Sequence, residues 1–313
     1  MRVLIRIDFN GGYRIKRHLE TIRKYQGHKI IVCGHYGRPQ EIEKKYSLKK
    51  FRGFFPKNAV LLENLRFDPR EKANDSGLAK ELAGACDLFV QDAFSVCHRE
   101  HASIVGVPKY IKSEMGLVLK KEMEELNRNF VRPVVFVMGG GKTETKLPLV
   151  NLLLKQRADH IILGGLIANK VLASGIYSNR LHLPVDAVTE AGVKAVGQVK
   201  NKMDILDIGP DSVRLFKEIL REAKTIIWNG PMGKAEEESY DNGSRSLARA
   251  IAKLTAYKII GGGEVVKVVE DLVLEDKFDY ISTGGGAMLE YLAKGTLPGI
   301  EAIKNSNHEK LAG

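Results

Sequence analysis

The chain has 313 residues, 44% of them hydrophobic and 28% charged, with a formal net charge of +11 at pH 7. No apolar run reaches the ~18 residues of a membrane helix, the N-terminus MRVLIRIDFN lacks a signal-peptide core, and three cysteines without a C-x-x-C pair disfavour disulfides or zinc, so we expect a soluble cytoplasmic protein. The positive charge favours anionic partners such as nucleic acid, anionic lipid or phosphorylated metabolites, although a basic surface that only aids solubility is an equal alternative.

Strand-length apolar runs that end in polar or basic residues fill the first part of the chain. They are VLIRIDFN (3–10), KIIVCGHYGRP (29–39), AVLLENLRF (59–67) and DLFVQDAFSVCHREHAS (87–103). The segment EMGLVLKKEMEELNRNF that follows has helical periodicity, and Arg132-Pro133 stops it. We therefore predict an α/β domain over residues 1–114 and an interdomain helix over 115–131.

In the second part, an apolar strand, a glycine turn and helix-compatible sequence recur five times. The segments are VVFVMGGGKTETKLPLVNLLL, HIILGGLIANKVLA, TIIWNGPMGK, KIIGGGEVVKVVEDLV and YISTGGGAMLEYLAKG. Continuous apolar strands alternating with helices predict a parallel sheet, with the glycine turns at its carboxyl edge, where open α/β folds bind ligands. This indicates a second α/β domain over 132–300 and a tail over 301–313, whose return to the first domain is a hypothesis.

Consecutive glycines at a strand-to-helix turn let backbone N–H groups approach an anion, although for any single turn we favour close packing of helix on strand. Five such turns at one sheet edge, one of them followed by Lys142, favour phosphate binding. Two nucleotide motifs fail. A Walker loop would need glycine where Phe136 stands, and Val266 and Leu289 occupy the last glycine position of G-x-G-x-x-G.

Polar and basic residues follow the strands of the first half. They are Asp8, Asn10, Arg14, His35, Arg38, Arg66, His98, Arg99 and His101. Converging guanidinium groups suit a small ligand that carries both phosphate and carboxylate, although each arginine alone is more simply a solvated surface residue. For the histidine pair we favour a hydrogen-bonded turn over a metal site, since no further Cys or carboxylate completes a ligand set.

An ordered series of motifs resembles phosphoglycerate kinase along nearly the whole chain, with GGLIAN and TGGGAML closer to the archaeal branch. The motifs are RIDFN, GHYGRP, LLENLRF, QDAFSVCHREHASIVGVP, GGGKTETK, LPVD, IGP, AKTIIWNGPMG, IIGGGE and ISTGGGAMLEYL. The resemblance implies an α/β fold of two Rossmann-like domains with parallel sheets joined by a hinge helix. It also implies a reversible phosphoryl transfer of glycolysis or gluconeogenesis, between ATP and 3-phosphoglycerate, giving ADP and 1,3-bisphosphoglycerate with Mg²⁺ and hinge closure.

The resemblance also assigns residues to roles. In the first domain, the positions that bind 3-phosphoglycerate are Asp8, Asn10, Arg14, His35, Arg38, Arg66 and Arg99. The catalytic positions, which neutralise or face the transferred phosphoryl group, are Arg14, Lys142, Lys146, Gly284, Gly285 and Gly286. The nucleotide positions, besides the two lysines, are Gly140, Gly141, Gly164, Gly165, Asn229, Pro231, Glu236, Gly261, Gly262, Gly263 and Glu264, with Glu236 at the ribose and Glu264 as the Mg²⁺ ligand.

Departures from the family pattern leave a second hypothesis open. The chain is shorter after Asn10 and after Tyr46, and Glu264 and Val265 stand where an aspartate and a threonine are usual. The alternative is a nucleotide-binding relative that lacks catalysis or uses another acyl-phosphate substrate. A basic nucleic-acid binder is a third class, which no aromatic platform or recognition motif supports. We expect a monomer without nucleic-acid or membrane partners.

Overall fold

The computed structural model describes residues 1–174 and 178–308, and the chain divides into two compact units. The first comprises Met1–Asn127 and the C-terminal segment from Thr296 onward, and the second is Arg128–Gly295. The helix expected over 115–131 extends over Leu117–Leu126 and belongs to the first unit. The unit boundaries therefore lie at 127/128 and 295/296, whereas the sequence placed domain limits at 114, 132 and 300.

The first unit is built on a five-stranded parallel sheet in the order β3-β2-β1-β4-β5. Its strands are β1 (Arg2–Asp8), β2 (Lys29–His35), β3 (Val60–Leu61), β4 (Leu88–Gln91) and β5 (Ser113–Met115). Its helices before the second unit are α1 (Gly12–Lys24), α2 (Pro69–Lys72), α3 (Ser76–Gly84) and α4 (Leu117–Leu126). Helices cover both faces, so β1 and β2 are buried along their whole length after the first residue.

The second unit contains a six-stranded sheet and a smaller three-stranded one. The larger, in the order β14-β13-β12-β6-β7-β8, is parallel throughout, and the smaller, β10-β9-β11, is antiparallel. The strands are β6 (Val134–Met138), β7 (His160–Leu163), β8 (Leu181–His182), β9 (Asp186–Thr189), β10 (Gly192–Ala195), β11 (Asp207–Ile208), β12 (Thr225–Asn229), β13 (Tyr257–Gly261) and β14 (Tyr280–Ser282). The predicted α/β class with parallel sheets is confirmed.

Two layers of helices flank this six-stranded sheet. The helices are α5 (Thr143–Gln156), α6 (Gly165–Ser174), α7 (Pro210–Arg221), α8 (Asn242–Ile251), α9 (Gly263–Asp271) and α10 (Gly285–Lys294). Helices α7, α8 and α9 pack side by side, and α5 packs with α6 and α10. Trp228 on β12 is fully buried against the first of these layers, in a core that includes Phe216 of α7 and Val265 of α9.

Strand register brings the glycine turns to one level of the sheet. Asn229 pairs with Met138 on one side and Gly261 on the other, Gly261 pairs with Ser282, and Met138 pairs with Leu163. Each of these five residues is the last residue of its strand. The five turns predicted from the sequence therefore lie along the carboxyl edge of one sheet.

The last described helix, α11 (Pro298–His308), belongs to the first unit. Gly299 donates its backbone N–H to the Cys97 carbonyl at 2.8 Å, and a Cβ at Gly299 would lie 2.8 Å from Ile104. The tail expected over 301–313 is described only to residue 308, and 309–313 lie outside the described residues. Among the described helices, none combines the length and the apolar character needed to cross a membrane.

Candidate functional site

The turn after β12 holds together the turns after β6 and β7. Gly139 donates its backbone N–H to the Asn229 carbonyl at 2.9 Å, and Gly140 donates to Pro231 at 2.8 Å. Gly165 donates to Met232 at 2.5 Å. Three glycine turns of the carboxyl edge are thus joined through their own main chains, which requires backbone to approach backbone.

Most of the glycines are needed for this approach. A Cβ at Gly139 would lie 1.9 Å from the Pro231 carbonyl oxygen, and one at Gly164 would lie 2.7 Å from the Met232 sulfur. At Gly285 a Cβ would lie 2.6 Å from Gly262 Cα. At these positions the packing explanation considered from the sequence accounts for the glycine.

In the triplet Gly261 to Gly263, the first two glycines are packed against neighbouring residues and the third faces open space. Gly261 ends β13 beside Met288, and Gly262, the N-cap of α9, has a φ of 112° that side chains disfavour. Around Gly263, the first residue of α9, no atom lies within 4 Å of an added Cβ, and the same holds for Gly286 in α10. Gly263 and Gly286 therefore leave open space beside the helix N-termini, where backbone N–H groups carry partial positive charge.

A cavity of about 330 Å³ opens at these turns. Six of the sequence-predicted nucleotide residues line it: Gly140, Gly141, Gly165, Pro231, Glu236 and Glu264. Asn229 is buried and donates its side-chain amide to the Gly261 carbonyl at 2.7 Å, so it supports the turn rather than lining the cavity. Gly164 is likewise packed behind the wall.

The rest of the cavity wall was missed in the sequence. It comprises Leu166, Met203, Ile205, Leu206, Gly233 and Lys234. Most of these side chains are apolar, and three of them, Met203, Ile205 and Leu206, come from the segment between β10 and β11, outside any motif. An apolar wall facing charged turns suits a ligand with a flat apolar part and an anionic part.

Two lysines at the start of α5 differ in environment. Lys142 is the exposed N-cap residue, whereas Lys146 is buried and donates from Nζ to the Gly139 carbonyl at 2.5 Å. Burial lowers the pKa of Lys146 to about 8. The negative charge of Glu264 partly opposes this shift, and the positive charge of Lys142 adds to it. Lys146 is therefore held inside the turn, and an anion beside it would favour its charged form.

Glu264 is exposed in the first turn of α9, and its carboxylate and the Lys146 ammonium both lie beside Gly140. A Cβ at Gly140 would lie 3.7 Å from Glu264 Oε2 and 3.6 Å from Lys146 Nζ. The carboxylate borders the cavity, so it fits Mg²⁺, which commonly takes one or two protein carboxylates and completes its shell with phosphates and water. Within the described ranges, no three His, Cys, Asp or Glu side chains form a metal cluster.

Val265 has a structural explanation that the sequence did not provide. Its side chain is fully buried and belongs to the hydrophobic core between the sheet and α7, α8 and α9. The side chain at this position therefore points away from the open side of the turn. A hydroxyl group at this position would need a hydrogen-bond partner inside the apolar core.

In the first unit, Asp8 at the end of β1 gathers the residues around the shortened loop. Its carboxylate accepts hydrogen bonds from Asn10 at 2.8 Å, Arg14 Nη1 at 2.8 Å and Ser95 Oγ at 2.6 Å. Burial raises the pKa of Asp8, but the charge of Arg14 and these hydrogen bonds outweigh it and hold the pKa below its usual value. Asp8 therefore acts as an ionised anchor for Asn10 and Arg14.

The remaining predicted substrate residues are three arginines, which influence one another's charge, and the buried His35. Burial, followed by the charges of Arg99, Arg6 and Arg38, lowers the pKa of Arg66 to about 10. Burial, followed by the charges of Arg38 and Arg6, also lowers the pKa of Arg99. Burial and the nearby charges of Arg6 and Arg66 lower the pKa of His35 well below its usual value, so the ring is neutral.

Three of these arginines have a buried nitrogen without a hydrogen-bond partner in the described part of the chain. The atoms are Arg6 Nη1, Arg66 Nε and Arg99 Nε. Desolvated cationic donors without acceptors are costly, and an anion would relieve both the charge repulsion and the missing hydrogen bonds. The cluster is thus arranged as an anion site.

Arg6 was not among the predicted site residues. It is fully buried in β1 and donates to Ser103 Oγ at 3.0 Å and to His35 Nδ1 at 3.2 Å. The sequence did contain a signal for Arg6, since it is a charged residue inside the apolar run VLIRID.

The histidine pair was predicted to form a turn. His101 lies 3.7 Å from the buried Glu71 carboxylate, which agrees with a structural turn.

The comparisons with known proteins give one family. The family model for phosphoglycerate kinase matches residues 51–180 and 173–295. A phosphoglycerate kinase of Desulfosudis oleivorans is 34% identical over 382 aligned residues, covering 97% of this chain and 96% of that protein. One of Coxiella burnetii is 35% identical over 373 residues, covering 96% and 95%. Both alignments are longer than the 313 residues of this chain, so these relatives contain segments that it lacks.

Two solved structures have the same fold. The phosphoglycerate kinase of Coxiella burnetii aligns with a TM-score of 0.80 at 35% identity, over 97% of this chain and 96% of that one. The phosphoglycerate kinase of Pyrococcus horikoshii OT3 aligns with a TM-score of 0.83 at 27% identity, over 98% and 96%.

Adjacent glycines in α10 provide a matched test of the backbone contact. We expect Gly285→Ala to lower the melting temperature by several degrees, because its Cβ would meet the Gly262 main chain at 2.6 Å and overpacking costs about 1–3 kcal/mol or more. Gly286→Ala should leave it unchanged or raise it, since its Cβ meets open space and alanine favours a helix. Equal melting temperatures in calorimetry would contradict the contact.

Proposed function

The chain belongs to the phosphoglycerate kinase family, and we propose that it transfers the γ-phosphoryl group of ATP reversibly to the carboxylate of 3-phosphoglycerate, giving 1,3-bisphosphoglycerate and ADP. The observation that carries the proposal is the cluster of buried cationic donors without acceptors in the first unit. It suits a small ligand with phosphate and carboxylate groups, which both accept hydrogen bonds from arginine. The glycine-lined cavity of the second unit suits the nucleotide.

In this proposal 3-phosphoglycerate binds the first unit. Arg38, Arg66 and Arg99 neutralise its charges, and Asp8 holds Asn10 and Arg14 in place for contact with the ligand. Neutral His35 accepts a hydrogen bond at Nδ1 from Arg6, so its proton is on Nε2, where it donates to the ligand. Hinge closure, which brings the two ligands together, is part of the proposal.

The nucleotide binds the second unit, with the phosphates at the glycine turns and Glu236 at the ribose. Lys146 becomes fully charged beside the phosphates, and Lys142 with Arg14 neutralises the transferring group. The N-terminus of α10 at Gly284 to Gly286 faces that group. Phosphoryl transfer needs positioning and charge neutralisation more than proton transfer, which agrees with a site of cations and helix N-termini.

Mg²⁺ would be held by Glu264 together with the nucleotide phosphates and water. When bound, it neutralises phosphate charge and fixes the geometry of the phosphate chain. We also propose a monomer in the cytoplasm, where its three buried cysteines stay as free thiols. The alternative, a relative without catalysis or with another acyl-phosphate substrate, rests on the shortened loops.

The purified chain should form ADP from ATP and 3-phosphoglycerate in a coupled assay, and Lys142→Ala should lower kcat by ~10²-fold or more, since its charge acts mainly in the transition state. ATP affinity should change much less. Lys155→Ala, which removes an exposed lysine from the same helix, is the control. ATP binding without turnover in the wild type would favour the alternative function, and an unchanged kcat in Lys142→Ala would remove Lys142 from the site.

Arg38→Ala should raise KM for 3-phosphoglycerate by about tenfold or more, because it removes a charged hydrogen-bond donor to the ligand. ATP affinity should stay nearly constant, since the nucleotide binds the other unit. Lys49→Ala removes an equally exposed cation of the first unit and controls for net charge. If both ligands weakened together, the assignment of one ligand to each unit would be wrong.

Glu264→Gln keeps the size of the side chain but removes its charge. We expect it to raise the Mg²⁺ concentration for half-maximal rate by about two- to tenfold, in line with the loss of one charged contact. Glu270→Gln at the exposed end of the same helix is the control. Superimposable Mg²⁺ titrations, with only a lower melting temperature, would show that Glu264 stabilises the N-terminus of α9 and does not hold the metal.

A further inference from the structure

We propose that a groove between α7 and α8 is a docking site for an acidic amphipathic helix of another protein. The groove has a volume of about 460 Å³, and its lining comprises Lys217, Leu220, Arg221, Ser246, Arg249, Ala250, Lys253 and Leu254. Four cations border it, and the partly exposed Ala250 and Leu254 form an apolar strip between them, above the fully buried Leu220. No acidic residue lines it.

The four cations are not compensated by neighbours. None of them forms an ion pair among the described residues, whereas Arg214 on α7 pairs with Asp211 and Arg245 on α8 pairs with Asp241. Lys217 and Arg221 are four residues apart, as are Arg249 and Lys253, and like charges at this spacing repel along a helix. Each wall of the groove thus keeps a repulsion that a negative partner would relieve.

Helix dipoles explain only part of this arrangement. Cations in the last turn of a helix stabilise it, which accounts for Arg221 and Arg249. Lys217 precedes the last turn of α7, and Lys253 follows the end of α8 at Ile251. The dipole also does not account for the apolar strip between the two positive walls.

The lining favours a peptide helix over other anions. It contains no aromatic side chain on which a base could stack, which disfavours single-stranded nucleic acid. A concave groove also fits a helix better than a flat bilayer surface, and Lys217 to Arg221 give it one turn of α7 as a wall, about 6 Å at about 1.5 Å per residue. A helix with leucines on one face and glutamates on its flanks would match both the apolar strip and the cations.

The groove lies at the opposite sheet edge from the glycine turns. Arg221 lies shortly before β12 begins at Thr225, and Leu254 lies shortly before β13 begins at Tyr257, so the groove borders the amino ends of these parallel strands. The cavity of the candidate site borders their carboxyl ends. A docked partner would therefore hold the protein while leaving the nucleotide cavity accessible.

The test uses the full chain and a fluorescein-labelled peptide of about three helical turns, with a leucine stripe flanked by glutamates, in fluorescence anisotropy. The double variant Arg221→Ala/Arg249→Ala should weaken binding by about tenfold or more. The double variant Arg214→Ala/Lys267→Ala removes the same charge from exposed positions outside the groove, and it should change binding by less than about twofold. Leu254→Gln should also weaken binding, because it interrupts the apolar strip.

Several outcomes would overturn the proposal. They are an equal effect of both double variants, equal binding of a glutamate–glycine peptide without leucines, and no saturation below about 100 μM. Stronger dependence on Arg221 and Arg249 for a single-stranded oligonucleotide or for phosphatidylserine vesicles would assign the groove to those partners instead. Because the readout is binding, the result is independent of whether the chain transfers phosphate, and unchanged melting temperatures verify the fold of each variant.

Discussion

The second unit depends on backbone approaching backbone at the carboxyl edge of its sheet. Gly139 meets Pro231, Gly165 meets Gly140, and Gly285 meets Gly262 at distances that leave no room for a Cβ. These contacts bring the starts of α5, α6, α9 and α10 close to one another, so that their N–H groups face a common region. The same glycines serve packing and, in the proposed function, phosphate binding, because the positive helix ends can converge only if the turns between them carry no side chains.

The first unit differs, because it holds like charges close together and largely away from water. Arg6 and Arg66 are buried, Arg99 is half-buried beside them, and burial together with these like charges lowers the pKa of Arg66. The repulsion is offset elsewhere, by the ionised Asp8 and by Glu71, which accepts hydrogen bonds from Ser103. A preformed but unsatisfied site of this kind gains affinity because the protein has already been organised when the ligand binds.

The sequence predicted the parts that have a period or a motif. Continuous apolar strands followed by glycines predicted the parallel sheet and the glycine turns at its carboxyl edge. The assignment of Asp8, Asn10 and the arginines to a substrate site, made from polar strand ends, stays a prediction. The cavity wall around Met203 and Ile205 could not be predicted, because it depends on how the small antiparallel sheet packs beside the turns. The same limit explains Val265, since a sequence pattern does not distinguish a core-facing position in the first turn of a helix from a ligand-facing one.

In the proposed function, the shortened loops are compatible with substrate binding because Asp8, Asn10 and His35 lie at or beside strand ends rather than in long loops. Asn10 is fixed to Asp8 and also accepts the backbone N–H of Gly37 at 2.9 Å, which joins the ends of β1 and β2 directly. The compressed segment that follows packs Phe51 and Phe55 against Phe9 beneath the same strand ends. Arg14 is held by the Asp8 carboxylate and Arg66 donates to the Gly37 carbonyl, so both arginines are positioned from these strand ends without the missing loop residues.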